Sequence, residues 1–110
     1  RVESCAWSDR ARGVSDAGVV VNTTTLGMIG NAPLDLDLSA LDRDAIVADI
    51  VYVPLETPLL SGARARGHRT VDGLGMLLHQ AVTGFTRGFG VRPEVTLALR
   101  DILVAEIERK

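Results

Sequence analysis

Three short stretches of this chain carry the residue types best suited to binding chemistry. Asn22, Thr23, Thr24 and Thr25 supply an amide and three hydroxyls in succession. Such a set suits sugar hydroxyls or a carboxamide, and it equally suits a turn that caps its own strand. Tyr52 offers a phenol directly after an apolar run, either to a ligand or to a structural partner. Met76 and Gln80 are four apart and so share one helix face. Gln80 both donates and accepts, so on an apolar face it needs partners or solvent. Just before it, Asp72-Gly73-Leu74-Gly75 turns a strand into a helix. Its glycines keep side chains away from the helix mouth, where free N–H groups can meet a ligand or simply close a turn.

Other chemistries lack their residues. Cys5 has no second cysteine and no histidine pair beside it, so thiol catalysis, metal binding and a disulfide framework find no support. Asp35, Asp37, Asp42 and Asp44 lack a metal-loop spacing, and Asp49 falls inside a strand with no evident role. His79 points away from Gln80 by about 100° and reads as surface or packing. His68, among Arg64, Arg66 and Arg69, reads as part of a solvated face. Neither a Ser/His/Asp arrangement nor a complete Gly-x-Gly-x-x-Gly loop is present.

The elements that must position these residues can be read in order. Residues 1–7 alternate as a short strand, and 8–16 read as a loop with a helical turn. Gly18-Val19-Val20-Val21 is a continuous β-branched run, expected to be buried on both faces as in a parallel sheet. A second strand covers 44–51 and must stop by Tyr52, because Pro54 cannot join a central ladder. Thr57 and Pro58 open a helix with Leu59, Leu60 and Ala63 inside, closed by Gly67. His68 to Val71 forms a third strand. A helix then runs over 74–87, with Leu74, Leu77, Leu78, Ala81, Val82 and Phe85 as its buried stripe. A last helix starts near Glu94. This alternation predicts an α/β fold, a parallel sheet with covering helices. In such sheets ligands bind beyond the carboxyl ends of the strands. The Asn22 cluster, Tyr52 and Asp72-Gly73 should therefore converge on one crevice, faced by Met76 and Gln80.

Composition narrows the classes. With 110 residues and 46% hydrophobic content, the chain suits one domain or a piece of one. A net charge of −2 and four aromatic residues (two Phe, one Trp, one Tyr) argue against nucleic acid. No apolar run approaches the roughly 20 residues that span a bilayer. The chain begins at Arg1 without a signal-peptide pattern, so a cytoplasmic piece of a longer protein is expected.

Several motifs, in order, resemble the shikimate dehydrogenase family. They are Asn22-Thr23-Thr24-Thr25-Leu26-Gly27-Met28, then Asp49-Ile50-Val51-Tyr52-Val53-Pro54 with Thr57, Leu59 and Leu60, then Ala63 and Gly67. Asp72-Gly73-Leu74-Gly75-Met76-Leu77-Leu78-His79-Gln80 and Gly90-Val91-Arg92-Pro93 complete the set. The resemblance implies half of a Rossmann-like NADP-binding domain over 1–70 and the family's C-terminal motif and helices over 71–110, an incomplete domain. It implies an NADP-dependent oxidoreductase interconverting 3-dehydroshikimate and shikimate in chorismate and aromatic amino-acid biosynthesis. Asn22, Thr23, Thr25, Ile50, Gly73 and Met76 would stand on the cofactor side, and Tyr52 and Gln80 on the substrate side. Thr25 occupies a position that is often serine or proline in the family.

The family's catalytic lysine and aspartate, its N-terminal substrate domain, its glycine-rich loop and its 2′-phosphate-selecting loop have no counterpart here. The chain is therefore expected to be a fragment, inactive alone, with Leu99, Leu103 and Ile107 of the last helix exposed and prone to self-association. A quinate/shikimate dehydrogenase, or a non-catalytic binding module on the half-Rossmann scaffold, are the alternatives.

Overall fold

Three β-branched runs pair into a parallel sheet in the computed structural model, which describes residues 1–109. Strands β1 (Val19–Asn22), β2 (Ile46–Asp49) and β3 (Arg69–Val71) lie in the order β1-β2-β3. The register sets Val47 between Val20 and Thr70, and Asn22 beside Asp49. Helix α1 (Arg10–Val14) precedes β1, and α2 (Pro58–Ala65) links β2 to β3. Helices α3 (Gly73–Phe89) and α4 (Leu97–Glu108) follow. The expected α/β architecture, a parallel sheet covered by helices, is the one observed.

One face of the sheet holds the core. Val20 and Val47 pack with Leu38, Leu41, Leu59, Leu60 and Ala63, and Val14, Leu34 and Leu36 close the margin. Each fully buried leucine there contributes roughly 1.5–3 kcal/mol. The other face is bare: Val19, Val21 and Val71 are 57%, 48% and 51% exposed. Burial of β1 on both faces, expected from its unbroken valines, is thus corrected to alternation. The elements that cover the sheet gather on a single side of it, and the pleat sends every second valine the other way.

Other boundaries shift for physical reasons. Residues 1–6 form no strand and lead into a 3-10 turn at Trp7–Asp9; they lie exposed throughout and pair with neither edge strand of the sheet. β2 ends at Asp49 rather than at Val51, since the Asp49 carboxylate takes the Val51 N–H that a ladder would have used. His68 is buried, not solvated: it is 4% exposed, with Nδ1 3.2 Å from the Ala45 carbonyl oxygen. Of the expected α3 stripe, Leu74, Leu78 and Val82 are buried, while Leu77 is partly so and Ala81 and Phe85 are exposed. Phe85 stacks instead on Phe89, with ring centroids 4.6 Å apart. The last helix begins at Leu97, where the Thr96 hydroxyl accepts the Leu99 N–H. No residue of α4 is buried.

Candidate functional site

The carboxyl ends of β1 and β2 and the first turns of α3 enclose one cavity of about 370 Å³. Its lining comprises Thr23, Thr24, Thr25 and Met28 from the loop after β1, residues 50–53 from the segment after β2, and Met76, Leu77 and Gln80 from α3. The expected convergence is realised for the ends of β1 and β2 and for Met76 and Gln80, whereas Asp72 and Gly73, just past the end of β3, are not among the lining residues. Both methionines of the chain line this cavity, each more than two-fifths exposed. A thioether adapts its shape to a flat ring more readily than a branched side chain does.

The loop after β1 is shaped by its own polar groups. Asn22 is 3% exposed. Its Oδ1 accepts hydrogen bonds from the Thr24 N–H at 3.0 Å and the Thr24 hydroxyl at 2.7 Å. Its Nδ2 donates to the Leu26 carbonyl at 3.0 Å. The Thr24 hydroxyl oxygen in turn accepts the Leu26 N–H. Asn22 and Thr24 thus spend their polar groups on the turn, leaving Thr23 and Thr25 exposed at the rim. The loop is also tied to the segment after β2, through Ile29 N–H to the Val53 carbonyl.

The mouth of α3 is closed rather than open. The Asp72 carboxylate accepts the N–H groups of Leu74 and Gly75, so these two of the donors expected there are already used. Arg100 of α4 pairs with the same carboxylate at 2.6 Å. Gly73 is buried against the segment after β2. A Cβ built on it would lie 2.3 Å from the Ile50 carbonyl oxygen, so no other residue fits without backbone movement.

Of the eight residues singled out from the sequence, Thr23, Thr25, Ile50, Tyr52, Met76 and Gln80 line the cavity. Asn22 and Gly73 lie behind that lining, the first holding the loop and the second admitting the Ile50–Val51 backbone. Thr24, named with its neighbours for its hydroxyl but given no side of the site, also lines it, as do Met28, Val51, Val53 and Leu77, which were not singled out. Val51, Val53 and Leu77 each adjoin a residue that had been, and Met28 lies three residues beyond Thr25. No carboxylate, histidine or lysine lines the cavity among the described residues, and no group of metal-binding side chains occurs among them. A second, smaller cavity of about 160 Å³ lies under Trp7 and Arg10, whose guanidinium sits 5.0 Å from the indole centroid.

No family model matches the chain. Over all 110 residues it is 62% identical to the shikimate dehydrogenase (NADP(+)) of Azorhizobium caulinodans, covering 39% of that protein. It spans about 40% of the length of the curated relatives it matches. Among solved structures it is similar to quinate dehydrogenase from Corynebacterium glutamicum in complex with NAD, with 38% identity and a TM-score of 0.68 over 90% of this chain and 33% of that one. It is also similar to shikimate 5-dehydrogenase from Thermus thermophilus in complex with NADP(H) and shikimate, with 30% identity and a TM-score of 0.66 over 78% of this chain and 32% of that one. The resemblance to shikimate dehydrogenases read from the motifs holds along the whole chain.

Proposed function

We propose that this chain is part of an NADP-dependent shikimate dehydrogenase, and that its cavity receives the nicotinamide of NADP beside the ring of shikimate or 3-dehydroshikimate. The observation that carries this reading is the meeting of Thr23, Thr25, Ile50, Tyr52, Met76 and Gln80 around one cavity. Its volume falls at the lower end of the roughly 300–1,000 Å³ usual for ligand sites, enough for two small rings and too little for a whole dinucleotide. The lining also fits the groups. Ile50, Met28 and Met76 offer apolar contact to a flat ring, and the threonine hydroxyls can meet its carboxamide.

The roles are those that the resemblance to shikimate dehydrogenases implies, and the chemistry and position of each side chain are compatible with them. Asn22, Thr23 and Thr25 serve the cofactor side as a loop, with Asn22 acting from behind by fixing the loop's shape. Ile50 and Met76 pack against the nicotinamide. Gly73 contributes by letting the Ile50–Val51 backbone sit close to α3. On the substrate side, the Tyr52 phenol reaches the carboxylate and the Gln80 amide reaches a ring hydroxyl. NADP, when bound, takes up or supplies the hydride. This chain orients the two rings, and hydride transfer additionally requires them at near-attack distance.

Turnover requires more than this wall. Among the described residues no lysine or carboxylate lines the cavity, and Tyr52 is assigned to the substrate carboxylate, so the hydroxyl proton that accompanies hydride transfer is expected to be handled from outside this wall. The isolated chain is expected to show no 3-dehydroshikimate-dependent NADPH oxidation; measurable turnover would contradict this. Of the α4 residues expected to be exposed, Leu99 is, while Leu103 and Ile107 are partly buried; with Leu97 and Ile102 79% and 67% exposed, α4 is still the surface through which the isolated chain self-associates. Concentration-dependent sedimentation and ANS binding test that, and a monomeric, dye-silent chain would exclude it. The lone Cys5 suits the cytoplasm as the place of action.

Calorimetry tests the binding roles. Tyr52→Phe and Gln80→Ala are each expected to weaken shikimate about ten-fold by removing one hydrogen bond, leaving NADP⁺ affinity unchanged. Equal loss for both ligands would mean that neither residue belongs to the substrate side. Quinate is titrated in parallel, because the similarity to a quinate dehydrogenase is substantial.

A further inference from the structure

We infer that Asp49 is a positioning residue that fixes the two walls of the cavity relative to each other. Asp49 is 2% exposed and is absent from the cavity lining. No cation pairs with it among the described residues, so an ion pair is not its purpose. Its carboxylate instead gathers donors from three separate pieces of chain. Oδ1 accepts Asn22 Nδ2 at 3.1 Å, and so holds the loop after β1. The same oxygen accepts the Val51 N–H at 2.9 Å, and so holds the segment carrying Ile50 and Tyr52. Oδ2 accepts the Thr57 hydroxyl at 2.8 Å. Thr57 is fully buried, and its hydroxyl oxygen also accepts the Leu60 N–H, which starts α2.

Only a side chain with two acceptor oxygens can satisfy these donors at once, and a buried donor left without an acceptor is costly. The register reinforces this arrangement, because Asn22 and Asp49 are direct partners across the two strands. The spacing between Thr23–Thr25 and Ile50–Tyr52 is therefore set by one carboxylate behind them. That carboxylate is anchored in turn to a helix N-terminus in the core.

The assignment concerns the same cavity and rests on its reading as a ligand site only for affinity. Residue-resolved amide exchange is followed in the wild type, Asp49→Asn and Thr57→Val, with NADP⁺ titrations alongside. Asp49→Asn keeps the volume and one acceptor oxygen but brings an NH₂ group to where a donor now arrives. The Thr24 and Val51 amides are expected to exchange about ten-fold faster while Val20 and Val47 at the sheet centre stay unchanged. NADP⁺ should bind about five-fold more weakly, a loss of the size expected from one hydrogen bond. Thr57→Val should give the same pattern in milder form, and Thr57→Ser should restore it. Should Asp49→Asn fail to fold, Thr57→Val and its serine rescue decide the matter. Unchanged exchange at Thr24 and Val51, or equal acceleration at every amide, would overturn the proposal. A wild type that does not bind NADP⁺ would refute the cofactor reading, while the exchange pattern would still decide the role of Asp49.

Discussion

Helices α2 and α4 begin in the same way and are held in opposite ways. Each opens on a threonine whose hydroxyl oxygen accepts the N–H three residues on, at 3.3 Å for Thr57 and 3.1 Å for Thr96. Yet α2 buries Leu59, Leu60 and Ala63 within eight residues, whereas α4 buries nothing in twelve. The Thr57 hydroxyl also donates to a buried carboxylate, while Thr96 lies exposed. A cap therefore decides where a helix starts, and an opposing apolar surface decides what the helix can fix in place. α2 has that surface and anchors the cavity through Asp49. α4 contributes no residue to the cavity lining and is tied to the start of α3 through Arg100 and Asp72, a pair whose side chains are 30% and 24% exposed.

The largest break in this comparison should come from truncating each helix. Leu60→Ala is expected to cost about 2–5 kcal/mol, because Leu60 is 1% exposed and its removal leaves a core cavity. Ile102→Ala should stay within about 0.5 kcal/mol. Urea unfolding of both variants checks this, and similar losses would mean that α4 is packed after all.

The caps should differ by less. Thr96→Ala removes a cap alone, about 1 kcal/mol. Thr57→Ala removes a cap and also leaves Asp49 Oδ2 without its donor, which adds roughly 1–3 kcal/mol. Equal costs in the same unfolding assay would mean that the Thr57–Asp49 bond contributes nothing.

The smallest effect lies at Asp37, on the exposed surface. The Ser39 backbone N–H, 2.9 Å from its Oδ1, and then the Ser39 hydroxyl hold its carboxyl below the ordinary value of 3.8. A depressed folded-state pKa stabilises above the unfolded value and loses that contribution as pH falls through the folded one. The wild type should thus melt slightly above Asp37→Asn at neutral pH, with the gap closing below pH 3.8. A gap that widens in acid would reverse the sign.

Much of the architecture was legible because its signals are local. The Thr57-Pro58 start of α2 depends on neighbouring residues only, whereas α3, expected over 74–87, runs on to Phe89 and stops at Gly90, which has a φ of 72°. The convergence of strand ends followed from parallel topology, and it brought six of the eight expected residues to one cavity. What was not legible depends on the rest of the fold. Three successive valines look the same whether one face is covered or two, and β1 proved open on one side. His68 sits among arginines in sequence but turns inward to the Ala45 carbonyl. Asn22 and Gly73 carry ligand-like residue types, yet one builds the loop and the other makes room for a neighbouring backbone. Asp49 gave no signal by type or spacing, because two of its three donors, Asn22 and Thr57, reach it from β1 and from the start of α2.

The most direct test of the central claim, that the strand ends of this chain form a nicotinamide and shikimate site, is a residue-resolved NMR titration. The chain would be titrated with NADP⁺ and then with shikimate. Shifts confined to Thr23, Thr25, Ile50 and Met76 for the first ligand, and to Tyr52 and Gln80 for the second, are the expected result. A folded chain whose spectrum stays still, or shifts only around Trp7 and Arg10, would contradict it.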